Sequence, residues 1–190
     1  MVNKTKIVVK VFSSNPEMKV KIHGDAFDAE VELLYTLRHP NIVCFMGLQR
    51  KNDNMVWVVN EYISGGSLWG LLRSNVNLSW HKRLQMILQA ACALNHMHCQ
   101  HIPLIHGDLK SSDFLVTDKN MVKLGDIGTS QRLQIGGGEK LLPTSSLLWV
   151  APEIFQSVLF SLKSDVYSFG VIMWEILTGE VPYCGIPEIA

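Results

Sequence analysis

The sequence has no excess of charge of either sign: 17 Lys and Arg residues offset 17 Asp and Glu over 190 residues. A nucleic-acid-binding chain carries a basic face, and a disordered chain couples low hydrophobicity to high net charge. With 47% apolar residues and zero net charge, both classes are excluded. There is no CxxC pair. Cys44, Cys92, Cys99 and Cys184 stand apart in apolar or helical stretches, which fits buried or incidental thiols in a reducing compartment. Long apolar runs are missing too, since the greasy stretch 171–174 stops at Glu175 and nothing approaches the ~20 residues of a membrane helix. Lys10 interrupts the apolar run from Ile7 to Phe12, which is too short for a secretion signal. Internal repeats and low-complexity tracts are also absent. These absences predict a soluble, cytoplasmic globular protein of about one domain, with no nucleic-acid partner and no membrane segment.

Residues 6–12 are β-branched and alternate around a charge, so they are expected to form a strand with Val8, Lys10 and Phe12 on one face. From Asp25 to Arg38 the period lengthens to that of a helix, with Phe27, Val31, Leu34 and Leu37 on one stripe and Glu30 among them. A strand pair is predicted at 42–46 and 56–59, joined by the polar residues Gln49 to Asn54. Gly65-Gly66 breaks the pattern, and mainly helical sequence follows. Ser79 is a candidate cap for a long helix with Leu84, Ile87, Leu88, Ala91 and Leu94 facing inward. A hairpin is expected from 114–116 and 121–124 around the turn 117–120. Residues 129–146 read as loop, and Ser164 as the cap of a last apolar helix, 166–177, stopped by Gly179 and Pro182.

A four-residue turn at 117–120 would set Asp113 opposite Leu124, near Asp126, with Asp108 one short loop upstream. Two such carboxylates would supply oxygen ligands for a divalent cation while a third stayed free as a base. Lys110 adds a positive charge to the same loop, a combination suited to stabilising a transferring phosphoryl group. Taken singly, each aspartate near a turn would more simply cap its own backbone, and Lys10 would snorkel from a strand edge. Lys10 and Glu30, on inward faces of neighbouring elements, together point to a buried ion pair kept for a site. His96, His98, His101 and Cys99 imitate a metal cluster, but alternate helix positions point about 200° apart.

In this order and spacing, the motifs resemble those of eukaryotic protein kinases. Ile7-Val8-Val9-Lys10 resembles the strand bearing the phosphate-binding lysine, and Glu30 stands before Leu37-Arg38-His39-Pro40-Asn41 as the family's helix glutamate does. His106-Gly107-Asp108-Leu109-Lys110-Ser111-Ser112-Asp113 resembles the catalytic loop, and Gly125-Asp126-Ile127-Gly128 the magnesium-binding motif. Trp149-Val150-Ala151-Pro152-Glu153 is similar to the end of an activation segment, and Ser164 to Gly170 to the anchoring helix. Lys110 favours serine/threonine transfer, and the sequence around Pro40 to Gly47 resembles the tyrosine-kinase-like group, Raf-like and mixed-lineage enzymes included.

The resemblance implies an α+β, two-lobed fold: a partial N-lobe and hinge over residues 1–63, with an antiparallel sheet and one helix, and a partial, mainly helical C-lobe over 64–190. It implies ATP and Mg2+ as cofactors and a protein hydroxyl as phosphoryl acceptor in intracellular signalling. Lys10, held by Glu30, would contact the ATP phosphates. Asp126 and Asp113 would hold magnesium, Asp108 would take the substrate hydroxyl proton, and Lys110 would steady the γ-phosphoryl group. Adenine would lie along Asn60 to Ile63, bonded at Glu61 and Ile63 and sandwiched by Val8 and Leu115, with Ser67 near the ribose. Leu34, Ile127 and His106 would join an apolar spine anchored by Asp165.

Five features depart from the family pattern, among them Ser145-Ser146 where Gly-Thr is common and Asn60 where an apolar residue or threonine is usual. Gly107 replaces an arginine that would pair with an activation-loop phosphate, Asp113 replaces an asparagine ligand, and Ile127 replaces phenylalanine. They motivate the alternative of a pseudokinase that binds nucleotide or acts as a scaffold. A glycine-rich phosphate loop would need about 15 to 20 residues ahead of the lysine strand, and nine precede Lys10. The domain is therefore expected to be incomplete at both ends.

Overall fold

A computed structural model describes residues 6–13, 34–52, 55–127, 131–132, 146–157 and 159–185, and shows a mixed α+β chain. Strands β1 (Ile7–Ser13), β2 (Phe45–Asn52) and β3 (Met55–Glu61) form one antiparallel sheet in the order β1-β3-β2. Helices α1 (Leu68–Leu72), α2 (Trp80–His98), α3 (Ile154–Ser157) and α4 (Leu162–Thr178) follow, with short strands β4 (Leu104–Ile105), β5 (Phe114–Val116), β6 (Val122–Leu124) and β7 (Gln131–Arg132). Among the described residues no helix is long and apolar enough to cross a membrane.

The first strand lies where β-branching predicts it. Of the helix expected over 25–38, residues 34–36 are helical and 37–39 are not, while Phe27, Glu30 and Val31 lie outside the described residues. The second strand starts three residues later than expected and runs through polar residues to Asn52, because β2 is a sheet edge where outward side chains stay hydrated. Residues 41–43 pair elsewhere. Val43 N–H donates to the Leu124 carbonyl at 2.8 Å and Leu124 N–H to that of Asn41 at 2.7 Å, making a parallel bridge between Ile42 and Leu124. The amide of Asn41 adds a 2.9 Å bond to the Val122 carbonyl. Leu34 packs both on the sheet's cluster of Phe45, Val56 and Val58 and on the main core between α2, α4 and β6.

Gly65 and Gly66 leave the sheet by crossing β5. Gly65 N–H donates to the Val116 carbonyl, and Val116 N–H to that of Gly66, both at 2.8 Å. A Cβ on Gly65 would stand 2.4 Å from the Val116 oxygen. Gly65→Ala is therefore expected to force this crossing apart at a cost of about 1–3 kcal/mol, read as a lower denaturation midpoint; an unchanged midpoint would refute the close-approach argument.

Ser79 caps α2 as expected, its hydroxyl accepting from Lys82 N–H. The buried face is another matter: Met86, Ala90, Ala93, Leu94 and Met97 are buried, whereas Leu84 and Leu88 are 57% and 63% exposed. Position 86 lies about 200° round the helix from 84, and the alanines let α2 approach α4 and β6 closely. The cap of α4 also shifts, to Ser161, whose hydroxyl accepts from Ser164 N–H at 3.1 Å while Ser164 Oγ accepts from Ser161 N–H at 2.9 Å. Two serines at this spacing form a reciprocal box, so Ser164 is its inner member. Gly179 ends the helix at φ +79°, as its position predicts.

The hairpin register differs by one residue from expectation. Val116 pairs with Val122 and Phe114 with Leu124, and Thr117 N–H closes the turn on the Met121 carbonyl at 2.9 Å. The loop has three residues, with Asn120 in the left-handed region at φ +58°. Asp113 is thereby level with Gly125, whose N–H donates to its carbonyl at 2.8 Å, one residue nearer Asp126 than a four-residue turn allows.

Candidate active site

Two ion pairs, Lys10–Asp126 and Lys110–Asp108, flank Asp113, which feels the charges of Lys110, Asp126 and Asp108. Lys10, central in β1 opposite Val58, reaches across to Asp126 with Nζ 2.5 Å from Oδ1. Both groups are substantially exposed, so this pair holds geometry more than it stabilises the fold. Asp126 directly follows β6 and has φ +50°, a left-handed backbone uncommon outside glycine. Glu30, the expected partner of Lys10, lies outside the described residues.

Asp108 sits in the loop after β4 with both oxygens engaged. Oδ2 is 3.1 Å from Lys110 Nζ, and Oδ1 accepts from the Ser146 hydroxyl. The 3₁₀ turn Ser111–Asp113 follows, and Asp113 Oδ2 accepts from Lys110 N–H at 3.0 Å. Asp113 is 6% exposed. Burial pushes its carboxyl up to about 7, against the opposing pull of Lys110 and with smaller upward contributions from Asp126 and Asp108.

Asp113 and Asp126 offer hard oxygen donors, the type a magnesium ion takes. Among the described residues no group of three His, Cys, Asp or Glu side chains is arranged to hold a metal, so such an ion would complete its shell with phosphate or water oxygens. The histidines near the end of α2 do other work: His98 Nε2 lies 3.0 Å from Asp165 Oδ2, and His96 stacks on His39 with centroids 4.9 Å apart.

Of the expected adenine contacts, Val8 and Leu115 are partly exposed, and Leu115 pairs across β5–β6 with Lys123 and bridges to Ser67. Asn60 lies opposite both Val8 and Phe45. Glu61 N–H donates to the Cys44 carbonyl at 3.0 Å, and its carboxylate takes both Cys44 N–H and Lys123 Nζ. Ile63 is buried. Ser67 Oγ accepts from Gly70 N–H at 3.1 Å as the cap of α1.

Compared with known protein families, residues 1–190 match the profile described as protein tyrosine and serine/threonine kinase. The chain belongs to the protein kinase family. Among similar proteins, the serine/threonine-protein kinase CTR1 of Arabidopsis thaliana is 39% identical over 160 residues, covering 83% of this chain and 19% of that protein. The probable serine/threonine-protein kinase drkC of Dictyostelium discoideum is 37% identical over 161 residues, covering 83% of this chain and 21% of its own length. The probable serine/threonine-protein kinase SIS8 of Arabidopsis thaliana is 36% identical over 183 residues, covering 94% and 17%. This kinase chain thus spans about a fifth of the length of the curated relatives it matches.

Within the kinase frame, Gly107 has a backbone reason. Its φ is +72°, and its N–H donates to Asp165 Oδ1 at 2.9 Å, beside His106 N–H on Oδ2 at 2.8 Å. Glycine adopts that conformation without the steric cost a side chain would add. Ile127 is buried in the main core together with Leu124 and Phe114, and His106 is 1% exposed.

Sequence reasoning missed the Lys123–Glu61 pair, with Nζ 2.6 Å from Oε1, and a wholly buried carboxylate at Glu175. The signal for Glu175 is an acid directly after the apolar run Val171 to Trp174, where periodicity alone marks only the end of that run.

Proposed function

We propose that this chain is the core of an ATP-dependent protein serine/threonine kinase, a two-lobed domain in which residues 1–63 and 64–190 flank the nucleotide. The observation that carries this reading is that Asp113 lies within electrostatic reach of Asp126, the partner of Lys10, and of the Asp108–Lys110 pair. The names of the relatives support serine/threonine hydroxyls as acceptors.

In this reading, Lys10 binds the α and β phosphates of ATP, and Asp126 and Asp113 hold magnesium. When bound, the metal neutralises charge on the phosphates. The acceptor hydroxyl oxygen attacks the γ-phosphorus as the bond to the β-phosphate oxygen breaks. ADP departs, and the hydroxyl proton passes to Asp108. Ser146, bonded to the other oxygen of Asp108, keeps that carboxylate turned, and Lys110 balances charge on the moving phosphoryl group. Glu61 and Ile63 present main-chain groups to adenine between Val8 and Leu115.

Phosphoryl transfer from labelled ATP to a generic protein acceptor, measured with the full-length protein, tests this. Asp126→Ala is expected to lower transfer by at least about a hundredfold. Nucleotide binding with no transfer by the unaltered protein would replace the kinase reading with that of a nucleotide-binding pseudokinase.

A further inference from the structure

Glu175 lies in α4 with no solvent exposure, and its two oxygens collect donors from three other segments. Oε1 accepts from the Ser111 hydroxyl at 3.0 Å and from Arg73 Nη2, beyond the end of α1, at 2.9 Å. Oε2 accepts from the indole N–H of Trp149 at 2.7 Å. The Arg73 guanidinium lies 3.1 Å from the ring centroid of Trp69, and Trp69 meets Trp149 edge-on at 5.6 Å. Burying an ionised carboxylate is costly unless it is fully hydrogen-bonded, and here both oxygens are used.

Each oxygen leads to a different carboxylate of the candidate active site. Ser111 opens the 3₁₀ turn that ends at Asp113, so the Oε1 arm sets where Asp113 stands. Trp149 N–H donates to the Ser146 carbonyl at 2.9 Å, and the Ser146 hydroxyl bonds Asp108, so the Oε2 arm sets the orientation of Asp108. Ser168 Oγ holds the Trp149 carbonyl at 2.7 Å, fixing the same residue to α4 a second time.

We propose that Glu175 is a positioning residue for phosphoryl transfer, with one carboxylate oxygen holding the Asp113 turn and the other holding the segment that orients Asp108. The proposal rests on the kinase reading. It explains why an acid lies fully buried in α4, where a leucine would pack without desolvation. It also separates two effects that a purely structural ion pair would leave joined.

Two substitutions test the arms in the full-length protein. Trp149→Phe removes the indole donor together with part of a buried ring, and is expected to lower kcat about tenfold while KM for ATP stays within about twofold. Ser111→Ala removes the hydroxyl, and is expected to raise the Mg2+ concentration giving half-maximal rate about three- to tenfold, with a smaller change in kcat. Thermal denaturation of each variant separates misfolding from mispositioning. If both variants lower the melting temperature yet keep the parental kcat and Mg2+ dependence, Glu175 is a structural anchor alone and the proposal fails. It fails equally if the two variants shift the same parameter by the same factor. Absence of transfer in the unaltered protein would instead overturn the kinase reading, and this inference with it.

Discussion

Replacing Asp113 by asparagine is expected to stabilise the metal-free protein at pH 8 by on the order of 2 to 4 kcal/mol, and to change its stability little near pH 4. The folded state pushes this carboxyl from 3.8 up to about 7, mainly by desolvation. Its proton affinity is thus higher folded than unfolded. Between those two values the folded protein holds a proton that the unfolded chain has released, so stability falls as pH rises and the full cost is present above about 7. Asparagine has no charge to desolvate, and its carbonyl still accepts from Lys110 N–H. Denaturant unfolding with a chelator present, at pH 4 and pH 8, reads the difference. Equal effects at both values, or destabilisation at pH 8, would show that Asp113 is well solvated or paired as an anion. In activity, the same substitution is expected to preserve or raise transfer, since asparagine is the residue the family resemblance expects there. Loss of most transfer would mean that the acid itself is required.

Glu175→Ala should be among the most destabilising single changes in the chain, at about 3–5 kcal/mol. It removes the acceptor of the Ser111 hydroxyl and the Trp149 indole N–H, and leaves the partly buried Arg73 guanidinium on the neutral carbonyls of Trp69 and Glu180. Glu175→Gln should cost less, about 1–3 kcal/mol, because an amide keeps one acceptor but turns an NH2 toward a donor. Pairing Glu175→Ala with Arg73→Met should recover part of the loss, because it removes the cation left without its carboxylate while Ser111 and Trp149 remain unsatisfied. Denaturant midpoints of the three variants check the ranking. A Glu175→Ala protein within 1 kcal/mol of the parent would mean that water reaches the site.

Local chemistry was legible in the sequence where a residue's own backbone decides its structure. Ser79 caps α2, Gly179 stops α4, Gly65-Gly66 ends the sheet segment, and Lys110 lies beside Asp108 in the short loop they share. What failed depended on choices made across the fold. The exposed stripe of Leu84 and Leu88 is as apolar as the buried one, and only the close approach of α4 and β6 favours the small side chains of Ala90 and Ala93. The hairpin slipped by one residue because Asn120 takes up a left-handed backbone, shortening the turn. Periodicity alone gives no sign of which apolar stripe will find a partner, and Glu175 becomes informative only when Arg73, Ser111 and Trp149 stand around it. The part of the site that spans Glu30 lies outside the described residues.

The bridge between Ile42 and Leu124 has a consequence for how the chain folds. It joins residues far apart in sequence, so its closing entropy is offset only when most of the intervening helices are already in place. The sheet's own cluster, Phe45, Val56 and Val58 with Leu34 and Leu48 against it, is much smaller than the core around α2 and α4. The sheet carrying Lys10 is therefore expected to open before the helical core, and hydrogen exchange should show faster exchange in β1 than in α2 and α4; equal protection would refute this.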